Sequence, residues 1–220
     1  MIIYGNSISP FVRKTLAFAA EKGVAVEVVP AGMGRGGSAF EEASPFGKMP
    51  ALRDPGADDG RDFTVSDSSA ICTYIEAKHP DPPLIPAEPR ARARTMWFEE
   101  FGDTILQPVG GRMFFNRFVA PRVLKRPGDE AVATRAEIEE MPPLIDYLET
   151  VVPEAGFLVG DTITLADLAI ASPFATLHHI GWMIDPARWP RTLGYVAGIL
   201  ARPSFAGILA AEQRAVAGVG

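Results

Sequence analysis

The chain has 220 residues, 47% of them apolar, enough to bury the cores of two modest domains and too many for a disordered segment. Its formal net charge of −6 offers no counterion-release attraction to nucleic acid, so any anion site must be built locally. A single cysteine, Cys72, excludes an intramolecular disulfide and a paired-cysteine redox centre. The first predicted element is Ile2-Ile3-Tyr4, a short buried strand. Residues 6–10 are polar and turn-like, and Pro10 is placed to open a helix, where its missing N–H costs little. That helix carries Val12, Leu16 and Ala19-Ala20 at spacings of three and four, and Gly23 ends it. Residues 24–29 alternate as a strand does.

A glycine-rich stretch, residues 32–37, follows. Ser38-Ala39-Phe40-Glu41 reads as a capping box opening a short helix. Ala51-Leu52-Arg53 and Phe63-Thr64-Val65 flank a segment rich in Asp, Gly and Pro, which predicts a β-hairpin with a long turn. Residues 66–78 hold Ala70, Ile71, Tyr74 and Ile75 at helical spacing until His79-Pro80 stops the pattern. The order is β-α-β, a short α, then β-β-α. It calls for one right-handed crossover with a parallel pair and one antiparallel hairpin. Residues 1–79 are therefore expected to form an α/β domain of the thioredoxin-like type.

Residues 80–89 are rich in proline and read as a linker. From residue 90 to 220 the strand signals vanish and an all-α bundle is expected. Trp97, Phe101 and Ile105 share one helix face, and Ile138, Met141, Ile145, Leu148 and Val152 share another. Residues 165–180, 192–200 and 205–217 also read as helices. Pro108-Val109-Gly110-Gly111 is expected to kink or end the first long helix, and Pro142-Pro143 to break the second.

Three segments carry candidate chemistry. In Gly47-Lys48-Met49-Pro50-Ala51-Leu52, a proline precedes a strand. An ordinary trans proline is one reading. The other is a cis bond that leaves the Met49 N–H and C=O facing outward, able to pair with a bound peptide backbone. In Val65-Ser66-Asp67-Ser68-Ser69, an acid and hydroxyls stand at a helix start. They cap the helix, or they hold the zwitterionic head of an amino acid, with the amides and helix end attracting a carboxylate and Asp67 accepting from the ammonium. In Ser7-Ile8-Ser9-Pro10-Phe11, a hydroxyl precedes the proline that opens a helix. Ser9 either caps that helix or donates to a ligand thiolate. Lowering a thiol pKa by about 2 takes roughly 2.7 kcal/mol, and a hydrogen bond to a charged group contributes about 1.5–3 kcal/mol. Thr164-Leu165-Ala166-Asp167 is a capping-box variant and reads as structural.

Taken in order, Gly47-Lys48-Met49-Pro50-Ala51-Leu52, Asp67-Ser68-Ser69-Ala70-Ile71, Thr164-Leu165-Ala166-Asp167 and Arg202-Pro203-Ser204-Phe205 resemble the cytosolic glutathione transferases along the whole chain. The resemblance implies a homodimer of two-domain subunits that use glutathione as co-substrate with no permanently bound cofactor. It implies that Met49 pairs through its backbone with the cysteinyl part, beside a cis Pro50, and that Asp67 and Ser68 hold the γ-glutamyl head. Lys48 matches a lysine near the glycyl end, and Arg35 can substitute for a lysine that some relatives carry. Ser9-Pro10-Phe11 is similar to the element of serine-type enzymes, which makes Ser9 the thiolate partner and Ser7 the runner-up; Tyr4 is given no such role. Phe11 and Phe114 are the candidate lining of an apolar pocket for an electrophile. Conjugation of a hydrophobic electrophile, as in detoxification, is the expected activity. A glutathione-dependent isomerase or peroxidase, or a non-catalytic binding protein on the same fold, are the alternatives.

Cys72, amid Ile71 and Ile75, reads as a packed core thiol. His178 and His179 are adjacent and cannot share a helix face, so no metal site is expected. Met1-Ile2-Ile3-Tyr4 lacks a charged leader, and no apolar run reaches the length of a membrane span, so a cytoplasmic location is expected.

Overall fold

Ile3 and Tyr4 are buried because the strand they form, β1 (Ile2–Tyr4), runs through the interior of a four-stranded sheet. The structure, a computed structural model, describes residues 1–32 and 34–218. The other strands are β2 (Glu27–Val29), β3 (Ala51–Asp58) and β4 (Arg61–Ser66), in the order β2-β1-β3-β4. β1 pairs in parallel with β2 and antiparallel with β3, and β3 pairs antiparallel with β4. The register sets Tyr4 beside both Val29 and Ala51, and Ala51 beside Ser66. This is the mixed sheet of a thioredoxin-like domain, as expected.

Helix α1 (Pro10–Glu21) opens on its proline and ends just before Gly23. Helix α2 (Gly37–Ala43) corrects the capping-box reading: Gly36 occupies the cap position, and Ser38 lies inside the first turn. Helix α3 (Ser68–Lys78) is capped by Asp67 and buries Ile71, Cys72 and Ile75. The hairpin is also corrected. The Asp-, Pro- and Gly-rich segment is not a long turn: β3 runs on to Asp58, with an irregular register between Asp54 and Asp58. Asp59 and Gly60, at φ +48° and +86°, make the turn. Two positive φ values suit a tight hairpin. Because β4 is an edge strand, the polar segment pairs while facing solvent.

The chain divides into two units, Met1–Ile85 and the residues from Pro86 onward. The second is all helical. Its first stretch is α4 (Pro89–Glu100), a π-helical segment Phe101–Leu106, α5 (Gln107–Phe114) and a second π-helical segment Phe115–Val123. The helix does not end at Pro108. Pro108 falls within the first two positions of α5, beyond a π-helical segment, where the ladder is already rearranged around the missing donor. After α6 (Glu130–Arg135) and a third π-helical segment, Ala136–Glu140, comes α7 (Met141–Val151). Pro142-Pro143 lies in the opening turn of α7, so the prolines begin a helix where a break was expected.

Helix α8 (Leu165–His178) is buried from Leu165 to Leu177 and packs against α4, α5 and α9 (Pro190–Leu200). Helix α10 (Pro203–Ala217) follows. His179 Nε2 meets the buried Glu212 of α10 at 2.9 Å. No single helix among the described residues is long and apolar enough to cross a membrane.

Candidate functional site

The sheet topology assembles the site. β1, β2 and β4 finish, and β3 begins, at the same end of the sheet. The segments at that end are residues 5–9, 30–32 with 34–37, 47–50 and 67–68. They hold Ser9, Arg35, Lys48, Met49, Pro50, Asp67 and Ser68. Distant stretches of sequence thus converge because strand direction alternates as it does.

The first segment is a tight turn. Asn6 Oδ1 accepts from the Ile8 amide at 3.0 Å, and the Asn6 carbonyl accepts from the Ser9 amide at 3.0 Å. Below it, Arg13 is fully buried, and its Nη2 donates to the Ile8 carbonyl at 3.3 Å. Ser9 stands at the cap position of α1 with extended backbone, and its carbonyl accepts from the Arg13 amide. Its hydroxyl makes no capping bond. The side chain is half-buried at a helix N-terminus with its donor uncommitted to that helix. Ser7, two residues earlier, is also half-buried. Phe11, half-buried, lies on the first turn of α1.

Tyr4 is placed differently. It is buried beside Phe40, ring centroids 6.1 Å apart. Arg53 bonds Glu42 at 2.7 Å and Asp62 at 2.8 Å; these carboxylates raise its pKa further above the ordinary value.

The Met49–Pro50 peptide bond is cis. Upstream, Ser44 Oγ donates to the Lys48 carbonyl at 2.7 Å, and the Gly47 amide donates to the Ser44 carbonyl at 2.9 Å. Among the described residues the Met49 amide and carbonyl have no hydrogen-bond partner. The Pro50 carbonyl accepts from the Asp67 amide at 3.2 Å, which ties the Met49-Pro50 segment to the start of α3. Asp67 has φ +88°, a region few non-glycine residues adopt. Its Oδ1 accepts from the Ser69 and Ala70 amides at 2.9 and 3.2 Å. Oδ2 takes no bond among the described residues, and the side chain is exposed. Ser68 is buried beneath it. Arg35 and Lys48 are exposed cations.

Phe114 belongs to the other unit, on α5, where it is buried and stacks on Phe118 with centroids 4.9 Å apart. No group of three or more His, Cys, Asp or Glu side chains among the described residues can hold a metal ion.

Sequence reasoning missed Asn6, Arg13, Gly5 and Gly32. Asn6 carried a usable signal, because an asparagine in a turn commonly accepts from the amide two residues on. Arg13 reaches back only five residues, to Ile8, whereas Gly5 and Gly32 act through contacts with Met49 across the sheet end that no local pattern encodes.

Comparison with known proteins adds to this geometry. Residues 3–83 match the family model of the glutathione S-transferase N-terminal domain, and residues 121–212 that of the glutathione S-transferase C-terminal domain. Glutathione S-transferase 4 of Zea mays is 30% identical over 80% of this chain and 75% of its own length. A glutathione S-transferase of Hyoscyamus muticus is 28% identical over 97% and 99% of the two chains. The solved glutathione S-transferase of Methylobacterium radiotolerans, in complex with glutathione sulfonate, superposes with a TM-score of 0.75 at 28% identity, covering 94% of this chain and 93% of that one.

Proposed function

Because this chain belongs to the glutathione S-transferase family, we propose that it binds glutathione at the open end of its sheet and directs the thiolate at an apolar electrophile. The observation that carries the reading is the convergence of uncommitted polar groups at that end: the Ser9 hydroxyl, the Met49 amide and carbonyl, and Asp67 Oδ2. These match the parts of the tripeptide in kind. Asp67 Oδ2 accepts from the γ-glutamyl ammonium, with Ser68 and the start of α3 beside the α-carboxylate. The Met49 backbone pairs with the cysteinyl unit as an added strand would. Arg35 and Lys48 attract the glycyl carboxylate.

Ser9 donates to the cysteinyl sulfur and favours the thiolate, with the N-terminus of α1 adding a smaller term of the same sign. The thiol proton goes to solvent. With an aryl halide the sulfur forms a bond to the ring carbon and the halide leaves with its bonding electrons. Simple positioning of the two reactants supplies much of the rate. Phe11 is the apolar side chain offered to the electrophile at this end.

The test measures glutathione binding by calorimetry and glutathione-dependent turnover of an activated aryl halide. Ser9→Ala is expected to lower turnover about ten- to hundredfold, the worth of one hydrogen bond to a charged sulfur. It is also expected to move the acid limb of the pH–rate profile to higher pH, toward the ordinary thiol value of about 8.5. Unchanged turnover in Ser9→Ala with loss in Ser7→Ala would transfer the role to Ser7. Absence of glutathione binding would sink the whole reading.

The same reading includes a homodimer. Phe46 is 90% exposed on the loop that leads to Met49, and burying such a ring is worth about 1.5–3 kcal/mol. Phe46→Ser is expected to lower the solution mass without unfolding the subunit, as measured by light scattering.

A further inference from the structure

We propose that Gly32 is a positioning residue for glutathione, acting through the thioether of Met49; the inference rests on the glutathione reading above. Met49 is bounded by two glycines from separate segments. A β-carbon on Gly5 would stand 3.5 Å from Met49 Cβ, an ordinary contact. A β-carbon on Gly32 would stand 2.6 Å from Met49 Sδ and 3.1 Å from its Cε, where carbon contacts ordinarily lie at about 3.5–4.0 Å. The thioether therefore rests directly on the Gly32 backbone with no space to spare.

That contact joins two parts of the proposed site. Gly32 and Arg35 face each other through two backbone bonds, Gly32 N–H to the Arg35 carbonyl at 2.9 Å and Arg35 N–H to the Gly32 carbonyl at 3.1 Å. Gly32 is buried and Arg35 is exposed. The turn therefore ties the Arg35 backbone to Gly32, and the Met49 side chain packs against the same glycine. A methyl group on Gly32 must displace the Met49 thioether by about 1 Å, and such a shift, once carried along the side chain to the Met49 backbone, is of a size that costs about tenfold in a binding constellation. The function expected of Gly32 is to set the spacing between the Met49 backbone and Arg35 to the length of the bound peptide.

Gly32 has φ +100°, so an L-alanine there is strained whatever surrounds it. A double-mutant cycle removes this complication, because the strain is common to both backgrounds. Glutathione affinity is measured by calorimetry for wild type, Gly32→Ala, Met49→Ala and the double variant. Turnover at saturating glutathione is followed alongside. Gly32→Ala is expected to weaken glutathione binding about tenfold in the wild-type background and less than about threefold in the Met49→Ala background, where the clash is absent. Turnover at saturation is expected to stay within about twofold, since Ser9 is untouched. Met49→Phe overfills the same slot without altering the glycine and is expected to weaken glutathione binding as Gly32→Ala does, so the test stands even if Gly32→Ala does not fold.

An equal loss in both backgrounds, or wild-type affinity in Met49→Phe, overturns the positioning role while leaving glutathione binding intact. If wild type itself gives no heat with glutathione, the functional reading falls and this inference falls with it.

Discussion

The starts of α3 and α8 are built from the same chemistry and put to opposite uses. At α8, Asp167 is fully buried. Its Oδ2 accepts from the Thr164 amide at 2.8 Å and hydroxyl at 3.0 Å, and its Oδ1 from the Leu158 amide at 2.8 Å and Tyr195 hydroxyl at 2.6 Å. Burial pushes the Asp167 carboxyl above its usual range against the pull of those donors, and burial with the adjacent carboxylate pushes Tyr195 well above its own. At α3, Asp67 is exposed, spends one oxygen on two helix amides and keeps the other open. A saturated buried cap locks a fold. A half-used exposed cap, held at an uncommon φ, leaves an acceptor open, and the proposed glutathione contact uses it.

The largest expected effect tests the locking half. Asp167→Ala leaves the Leu158 amide, Thr164 amide and Tyr195 hydroxyl buried without an acceptor, each costing about 1–3 kcal/mol, so a loss of about 4 kcal/mol is expected in urea unfolding. A loss below about 1 kcal/mol, the size of a surface cap, would erase the contrast. Asp67→Asn probes the other half. Asparagine tolerates the positive φ and keeps the cap but removes the charge. Stability is expected to stay within about 0.5 kcal/mol, while glutathione affinity falls about tenfold as a charge-assisted bond becomes neutral.

Tyr195→Phe removes a single donor from Asp167 and is expected to cost about 1 kcal/mol; an additive result with Asp167→Ala would mean the network is not one unit.

The smallest effect concerns a carboxylate between these extremes. Burial works against ionised Asp54, but hydrogen bonds from Lys78 and from Tyr74 at 2.7 Å outweigh it and hold its pKa below the ordinary value of 3.8. A depressed carboxylate contributes stability that is complete above its unfolded value and is lost as pH falls through its folded value. Lys78→Met is therefore expected to move the acid limb of the stability curve to higher pH. The change is under about 1 kcal/mol, because Lys78 is 40% exposed and solvent screens the pair. An acid limb that does not move would show that Tyr74 alone holds Asp54.

Much of this was legible in the sequence. Strand alternation, the helical spacing of Val12 and Leu16 or Ala70, Ile71 and Tyr74, and the stops at Gly23 and His79-Pro80 are local signals with local causes. The hairpin was misread because Asp, Pro and Gly report a preference for turns, whereas cross-strand pairing decided the outcome at a solvent-facing edge. The prolines at 108 and 142–143 announced a disturbance but not its form. A backbone with neighbours to pack against can widen its ladder rather than end it. In the site, Met49-Pro50 and Asp67-Ser68 stood out because each combines a backbone constraint with polar groups in one short segment. Gly5 and Gly32 did not, since their contact with Met49 exists only after segments more than 15 residues apart meet at the sheet end.

The π-helical segments of the second unit bear on how such proteins diversify. A π turn is an α turn that has accepted one additional residue, so Phe101–Leu106, Phe115–Val123 and Ala136–Glu140 mark places where the chain has room to change length by one without breaking a helix. Deleting a residue within 115–123 would return the ladder to α geometry and take up the width of the π turn, while leaving Phe114 where it stands. Single-codon insertions and deletions at these turns therefore offer descendants of this chain a way to reshape the helical unit while the sheet end, encoded elsewhere, is inherited unchanged.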